Sequence, residues 1–355
     1  MKRWRSTWWR LGLVLPAFAA MVALLVWRGP DWNLVADAFR LVAWQWVIAA
    51  ILLNLLSVVA RAAAWDRVIE QAMPPPRPRF REVFSAFGVG LFANAVLPGR
   101  IGELARVAVL TRYQERRRSD AWATLVGTVF AHRVFDLFPA LLLIAYVLLT
   151  AKIPHWALTS LTIFAIVGFG LFAFALASAR RHHRSVLEEA GQVRRLVTMA
   201  RYGLGVMHAP VPAAIAVFLQ CLGWTFQLLA VWATMRAFDI HVPLPAAGLV
   251  LLLMNVAMLF PLWPGNIGLV QAAVALPLVS YGVPYAKGFA FGIGLQAIEM
   301  SVGVGVGLIF LAREGLSYAM LKHMPGADQA EVGAETSEEE GTVEERPRAR
   351  ARVSG

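Results

Sequence analysis

A five-residue phrase that breaks apolar helix occurs twice in this chain, as Pro98-Gly99-Arg100-Ile101-Gly102 and, 166 positions later, as Pro264-Gly265-Asn266-Ile267-Gly268. Each copy divides an apolar stretch that would otherwise read as one membrane helix, separating Phe84–Leu97 from Ile101–Leu110 and Ala246–Phe260 from Ile267–Ser280. A bilayer crossing takes about 20 residues. Pieces of roughly 10 to 16 residues are short for that, so each pair is expected to dip into the membrane and return as a re-entrant hairpin. Broken helices at corresponding places in two halves of a chain mark the substrate site of transporters.

The surrounding sequence supplies a membrane to dip into. Hydrophobic residues make up 59% of 355, more than a soluble domain can bury. Runs long enough to cross are Leu11–Trp27, Leu41–Ala60, Ala121–Thr150, Trp156–Ala177, Pro212–Met235 and Phe289–Ala312. The first follows a basic start, and Ala17-Phe18-Ala19 lies inside the run rather than after it, so an uncleaved span is expected. The fold class is therefore an all-α polytopic membrane protein, with about six transmembrane helices and two re-entrant hairpins.

Charge orients this arrangement. If the six spans alternate and each hairpin returns to the face it entered, 27 of the 33 Lys and Arg residues fall on one side, which the positive-inside rule makes the cytoplasm. Both termini are then cytoplasmic, in the plasma (cell inner) membrane. The two hairpins enter from opposite faces. Each half, about 11–150 and about 156–312, reads span, span, hairpin, span, so the halves form an inverted repeat suited to alternating access. The formal charge of +11 is explained by topology, and no nucleic-acid partner is expected. Beyond Ala312 the tail 313–355 carries eight acids between Asp328 and Glu345 and then Arg346, Arg348, Arg350 and Arg352, a composition expected to be disordered. The basic segment Ala179–Ala209 suits either a helix on anionic head groups or a solvated loop.

The hairpin tips carry chemistry. Pro98 and Pro264 end the incoming helix; Gly99 and Gly265 permit the reversal, and Gly102 and Gly268 allow close backbone approach. The returning helix presents N–H groups and the positive end of its dipole, a setting suited to phosphate. Arg100 adds a cation able to bind phosphate bidentately, and Glu103 and Arg106 are spaced to pair on one helix face. Arg133 and Asp136, also three apart, lie in the middle of an apolar run, where charges are expensive and face an internal cavity or one another. They serve either as a brace between helices or as part of the path. His132 is a packing candidate. Glu299, three residues after Gln296, is the corresponding polar feature of the last span.

The run from Asn94 through Pro98-Gly99-Arg100 to Glu103 and Arg106, the Arg133/Asp136 pair and Pro264–Gly268 resemble the membrane domain of lysylphosphatidylglycerol synthases and their stand-alone, flippase-like relatives. The resemblance spans roughly Leu11 to Ala312. It implies movement of lipids with large head groups between leaflets. In the second hairpin Asn266 and Gln271 stand where that family usually shows glycine and glutamate, and His132 stands where a glutamate often precedes the arginine. The synthases carry a large soluble aminoacyl-transfer domain for which this chain has no room, so no lipid aminoacylation is expected.

No phosphate-binding loop, no nucleophile paired with a base and no clustered metal ligands occur in the sequence, and the lone Cys221 builds no metal site, so no cofactor is expected. An ATP-independent lipid carrier is the leading expectation. Its cargo is expected to be an anionic phospholipid, an aminoacylated phospholipid or a polyprenyl phosphate. A membrane enzyme of a polyprenyl-phosphate pathway, or an accessory subunit partnering an envelope-lipid biosynthetic enzyme, are the alternatives.

Overall fold

A computed structural model describes residues 30–73, 75–96, 102–113, 118–153, 158–159, 162–163, 166–167, 170, 210–258 and 266–313. Among the sequence expectations, the first span, most of the Trp156–Ala177 span, the basic segment Ala179–Ala209, the tail beyond Arg313 and the tip residues Pro98, Gly99, Arg100, Pro264 and Gly265 lie outside the described residues. One compact unit extends to Leu311, and the remaining residues form a second.

The described elements are α-helices: α1 Trp32–Arg40, α2 Trp44–Ala72, α3 Phe80–Val96, α4 Gly102–Thr111, α5 Arg118–Thr150, α6 Pro210–Ala237, α7 Leu244–Met258, α8 Leu269–Val279 and α9 Tyr285–Arg313. Four of them, α2, α5, α6 and α9, are long and apolar enough to cross a membrane. At about 1.5 Å per residue, α2 with its 29 residues is roughly 43 Å long, so its ends extend past a hydrocarbon core about 30 Å thick. The chain is thus an all-α polytopic membrane protein. Helix α1 was not expected from run lengths; its signal is Asp31, whose carboxylate accepts from the N–H groups of Asn33 and Leu34 as an N-cap.

The repeat is visible in the helix boundaries. Shifting α2 by the 166 positions that separate the two Pro-Gly phrases starts it at Pro210, the first residue of α6. The same shift lays α3 over α7, α4 over α8 and α5 over α9, to within a few residues at each end. Equivalent helices α2 and α6 run antiparallel. The Ala43 N–H at the start of α2 donates to the Ala237 carbonyl at the end of α6 at 2.9 Å, and the Trp46 and Trp232 rings meet edge to face at 5.6 Å. Midway along, Gly223 admits α2 so closely that a Cβ there would lie 2.9 Å from Arg61 Cγ. Two equivalent helices packed antiparallel are related by an axis across them, which is the relation an inverted repeat requires.

Each half reaches into the other. Helix α3 packs on α9, where a Cβ on Gly307 would meet the Gly88 carbonyl at 2.9 Å, and α7 packs on α5, where Gly248 lies against Val147 and Leu143. Within the first half α3 and α4 fold back on one another: the Asn94 side chain accepts from the Gly102 N–H at 2.9 Å, and Gly90 makes room for both Gly102 and Arg106. One apolar core lies mostly in the second half, with Val270, Val274 and Leu278 of α8 in the same cluster as buried residues of α7 and α9.

Two sequence expectations need correction. Helix α2 continues past Ala60 to Ala72, so Arg61 lies within the helix, not in a connecting loop, because one arginine with an internal partner does not stop a helix. Arg106, one of the 27 charges counted on the cytoplasmic side, is buried on α4. Without them 25 of the 33 Lys and Arg residues remain on the expected cytoplasmic side.

Candidate functional site at the crossing of the two halves

The midpoints of the four long helices fall at Val58 for α2, Val134 for α5, between Gly223 and Trp224 for α6, and at Glu299 for α9. The ionisable and amide side chains of the membrane-embedded region cluster around these points. This is a polar layer at mid-depth, where each polar group must find a partner inside the protein.

Its centre is a chain of contacts over three helices. The Glu103 carboxylate on α4 bridges two arginines, one oxygen against Arg106 of its own helix and the other against Arg133 of α5. Arg133 donates through its second nitrogen to Asp136 Oδ2 at 3.0 Å. Asp136 Oδ1 accepts from α6, from Gln220 Nε2 at 2.6 Å and from the Trp224 indole at 3.0 Å. Both i,i+3 pairings expected from spacing are present. What spacing did not reveal is that Glu103 and Asp136 also hold three helices together.

A second branch crosses the pseudo-two-fold. The Arg61 guanidinium lies 5.3 Å from the Trp224 ring centroid and donates to Gln227 Oε1 at 2.7 Å. Arg61 and Gln227 are equivalent positions of the two halves, 166 apart. Gln227 Nε2 in turn donates to Glu299 Oε1 at 3.3 Å, and Glu299 is the register equivalent of Arg133. Trp224 joins the branches, its N–H on Asp136 and its ring face under Arg61.

The three arginines differ in access. Arg106 is 4% exposed, with its guanidinium 4.6 Å from the Trp65 ring centroid and 5.5 Å from that of Phe87, contacts that stabilise a desolvated cation by about 2 kcal/mol. The Trp65 N–H is fixed by Thr128 at 3.1 Å. Arg106 is therefore the support beneath Glu103. Arg133 is different: its side chain is 49% exposed although it sits at the midpoint of its helix. His132, beside it, is buried with its ring edge-on to Phe87, a packing residue as expected.

The second hairpin uses amides where the first uses charges. Asn266, in a left-handed conformation at φ 45°, donates to the Ala257 carbonyl at 3.0 Å. Gln271 accepts from the Gly268 N–H at 2.6 Å and donates to Gln296 on α9. Gly268, at φ 92°, needs the freedom of glycine. Gln271 and Gln296 thus tie α8 to α9 much as Glu103 and Arg133 tie α4 to α5, without charge. Among the described residues no group of three or more His, Cys, Asp and Glu side chains is placed to hold a metal.

Sequence reasoning missed Arg61, Trp65, Gln220, Trp224 and Gln227. The signal was present on α6, where Gln220, Trp224 and Gln227 recur at i, i+4 and i+7, one stripe on an otherwise apolar helix.

The family model for the lysylphosphatidylglycerol synthase TM region matches residues 8–307, taking in both halves and both hairpins. The chain belongs to this family. It is also similar to a UPF0104 membrane protein of Methanothermobacter thermautotrophicus, 23% identical over 310 residues that cover 82% of this chain and 89% of that protein. The family match includes every residue of the polar layer from Arg61 to Glu299.

Proposed function

We propose that this chain carries a lipid with an anionic or large polar head group between the leaflets of the cytoplasmic membrane, without ATP. The observation that carries the reading is Arg133, half exposed at the midpoint of a membrane-long helix and flanked by Glu103 and Asp136. A bare phosphate entering hydrocarbon meets a desolvation cost on the order of 20 kcal/mol in the idealised limit. A cation held open at mid-depth, with carboxylates that exchange partners, lowers that cost for a head group while the acyl chains stay in lipid.

The inverted halves support the reading, because two interlocked units of opposite orientation can expose one central site to either face in turn. So does the family name, which refers to an enzyme of a phosphatidylglycerol derivative. Arg100, Asn94, Gly102, Glu103, Asn266, Gly268, Gln271 and Glu299 complete the proposed path, and the charge bias between helices supports a cytoplasmic side for both termini.

The test is reconstitution with fluorescent phosphatidylglycerol. Arg133→Ala is expected to slow translocation about tenfold, the size of one lost charge-assisted hydrogen bond. Arg133→Lys restores part of the rate, since a point charge cannot contact two carboxylates as a planar fork does. Full-rate transport by Arg133→Ala would remove this residue from the path.

A further inference from the structure

Among the described residues, the Arg, Asp and Glu side chains of the polar layer balance when all six are charged: Arg61, Arg106 and Arg133 against Glu103, Asp136 and Glu299. Two of the carboxylates are held by cations, Glu103 by Arg106 and Arg133, and Asp136 by Arg133. Glu299 is not. Among the described residues no Lys or Arg lies within ion-pair distance of it, and its hydrogen bond is the 3.3 Å contact from the Gln227 amide. It is the one acid on α9 and stands at the midpoint of that helix.

The groups facing it are few. From α2 comes Arg61, which reaches Glu299 through the Gln227 amide, and from α6 comes Gln227 itself. Helix α3 from Val83 to Val96, and helices α7 and α8, carry no ionisable side chain. On α5 the charged neighbours Arg133 and Asp136 are committed to each other, and His132 packs on Phe87. The amide is aligned between opposite charges, its oxygen accepting from Arg61 and its nitrogen donating to Glu299.

We infer that Glu299 is a proton-binding site coupled to the head group, so that the protein binds an anionic lipid together with one proton. Without the proton the layer is neutral and Arg61 is balanced through Gln227 by the Glu299 carboxylate. With it the layer carries one net positive charge, the complement of one phosphodiester. The proton moves from solvent to a Glu299 oxygen, and no bond other than that O–H is made or broken. The inference rests on the proposed lipid cargo, and the two fail separately in the following experiment.

Binding of dioleoylphosphatidylglycerol to the purified full chain in detergent is measured at pH 5.5 and 8.5, with a pH indicator in weak buffer to count protons taken up. Affinity is expected to be about tenfold weaker at pH 8.5, within the usual range of coupling between two bound species, with net proton uptake on binding. Glu299→Gln mimics the protonated form. It should bind with the high affinity at both pH values and take up no proton. Wild-type binding with equal affinity at both pH values and no uptake overturns the coupling while leaving the lipid reading intact. So does a Glu299→Gln protein that retains the full pH effect. If Glu299→Gln does not fold, Glu299→Asp decides: it should keep proton uptake, and its loss of the pH effect would overturn the inference. Failure of wild type to bind the lipid at either pH overturns the cargo and the coupling together.

Discussion

Replacing Asp136 with alanine should destabilise the protein by about 3–5 kcal/mol, because it leaves buried partners unpaired. Gln220, Trp224 and Arg133 all donate to this one carboxylate, so its removal orphans donors on two helices at once. Arg133 alone is less costly to remove, since Glu103 keeps Arg106 and Asp136 keeps its α6 donors. The double substitution Arg133→Leu with Asp136→Leu restores charge balance and should regain part of the loss, while Gln220 and Trp224 still lack their acceptor. A double-mutant cycle on thermal unfolding in detergent measures the coupling. A double variant less stable than Asp136→Ala would contradict the pairing.

Gly307→Leu should also be strongly damaging, and Gly305→Leu nearly silent. A Cβ at Gly307 would lie 2.2 Å from Phe92 Cβ and 3.1 Å from Phe92 Cα, so α3 and α9 must separate to admit any side chain. Overpacking of this kind typically costs 1–3 kcal/mol, and a helix crossing that holds the two halves together belongs at the upper end, about 3 kcal/mol. At Gly305 the same atom would meet open space, and the change should stay within about 0.5 kcal/mol. Monodisperse yield and melting temperature of the two variants, compared directly, check this; equal behaviour would mean that the crossing is not as close as described.

These two cases show what a sequence can and cannot reveal in such a chain. Glycines recur on the last span at positions 303, 305 and 307, a composition suited to close packing, and Gly307 serves that purpose, but nothing in the series says which of its members faces the neighbour. The membrane class and the helix breaks were legible because apolar run length and Pro-Gly pairs are local properties. The pairs Glu103/Arg106 and Arg133/Asp136 were legible because i,i+3 spacing places side chains together on any helix. The bridge from Glu103 to Arg133, 30 residues away, was not, since it depends on how α4 meets α5. Arg61 was misplaced for a related reason: run lengths end at the first charge, whereas the helix continues when a distant amide such as Gln227 satisfies that charge. The register of 166 that the Pro-Gly phrases share extends to Arg61 and Gln227, so repeat arithmetic was, beside the polar stripe on α6, a route from sequence to the centre of the site.

Movement of an anionic head group through the mid-depth layer is tested most directly with purified wild-type protein in sealed vesicles. Fluorescent phosphatidylglycerol and fluorescent phosphatidylcholine are compared in separate preparations, and the membrane-impermeant reductant dithionite reports how fast inner-leaflet lipid reaches the outer leaflet. Phosphatidylglycerol should become fully reducible in protein-containing vesicles, faster than phosphatidylcholine, with no ATP present, whereas protein-free vesicles keep their inner-leaflet fraction. An inner-leaflet fraction of phosphatidylglycerol that stays as protected with the protein as without it would contradict lipid translocation by this chain.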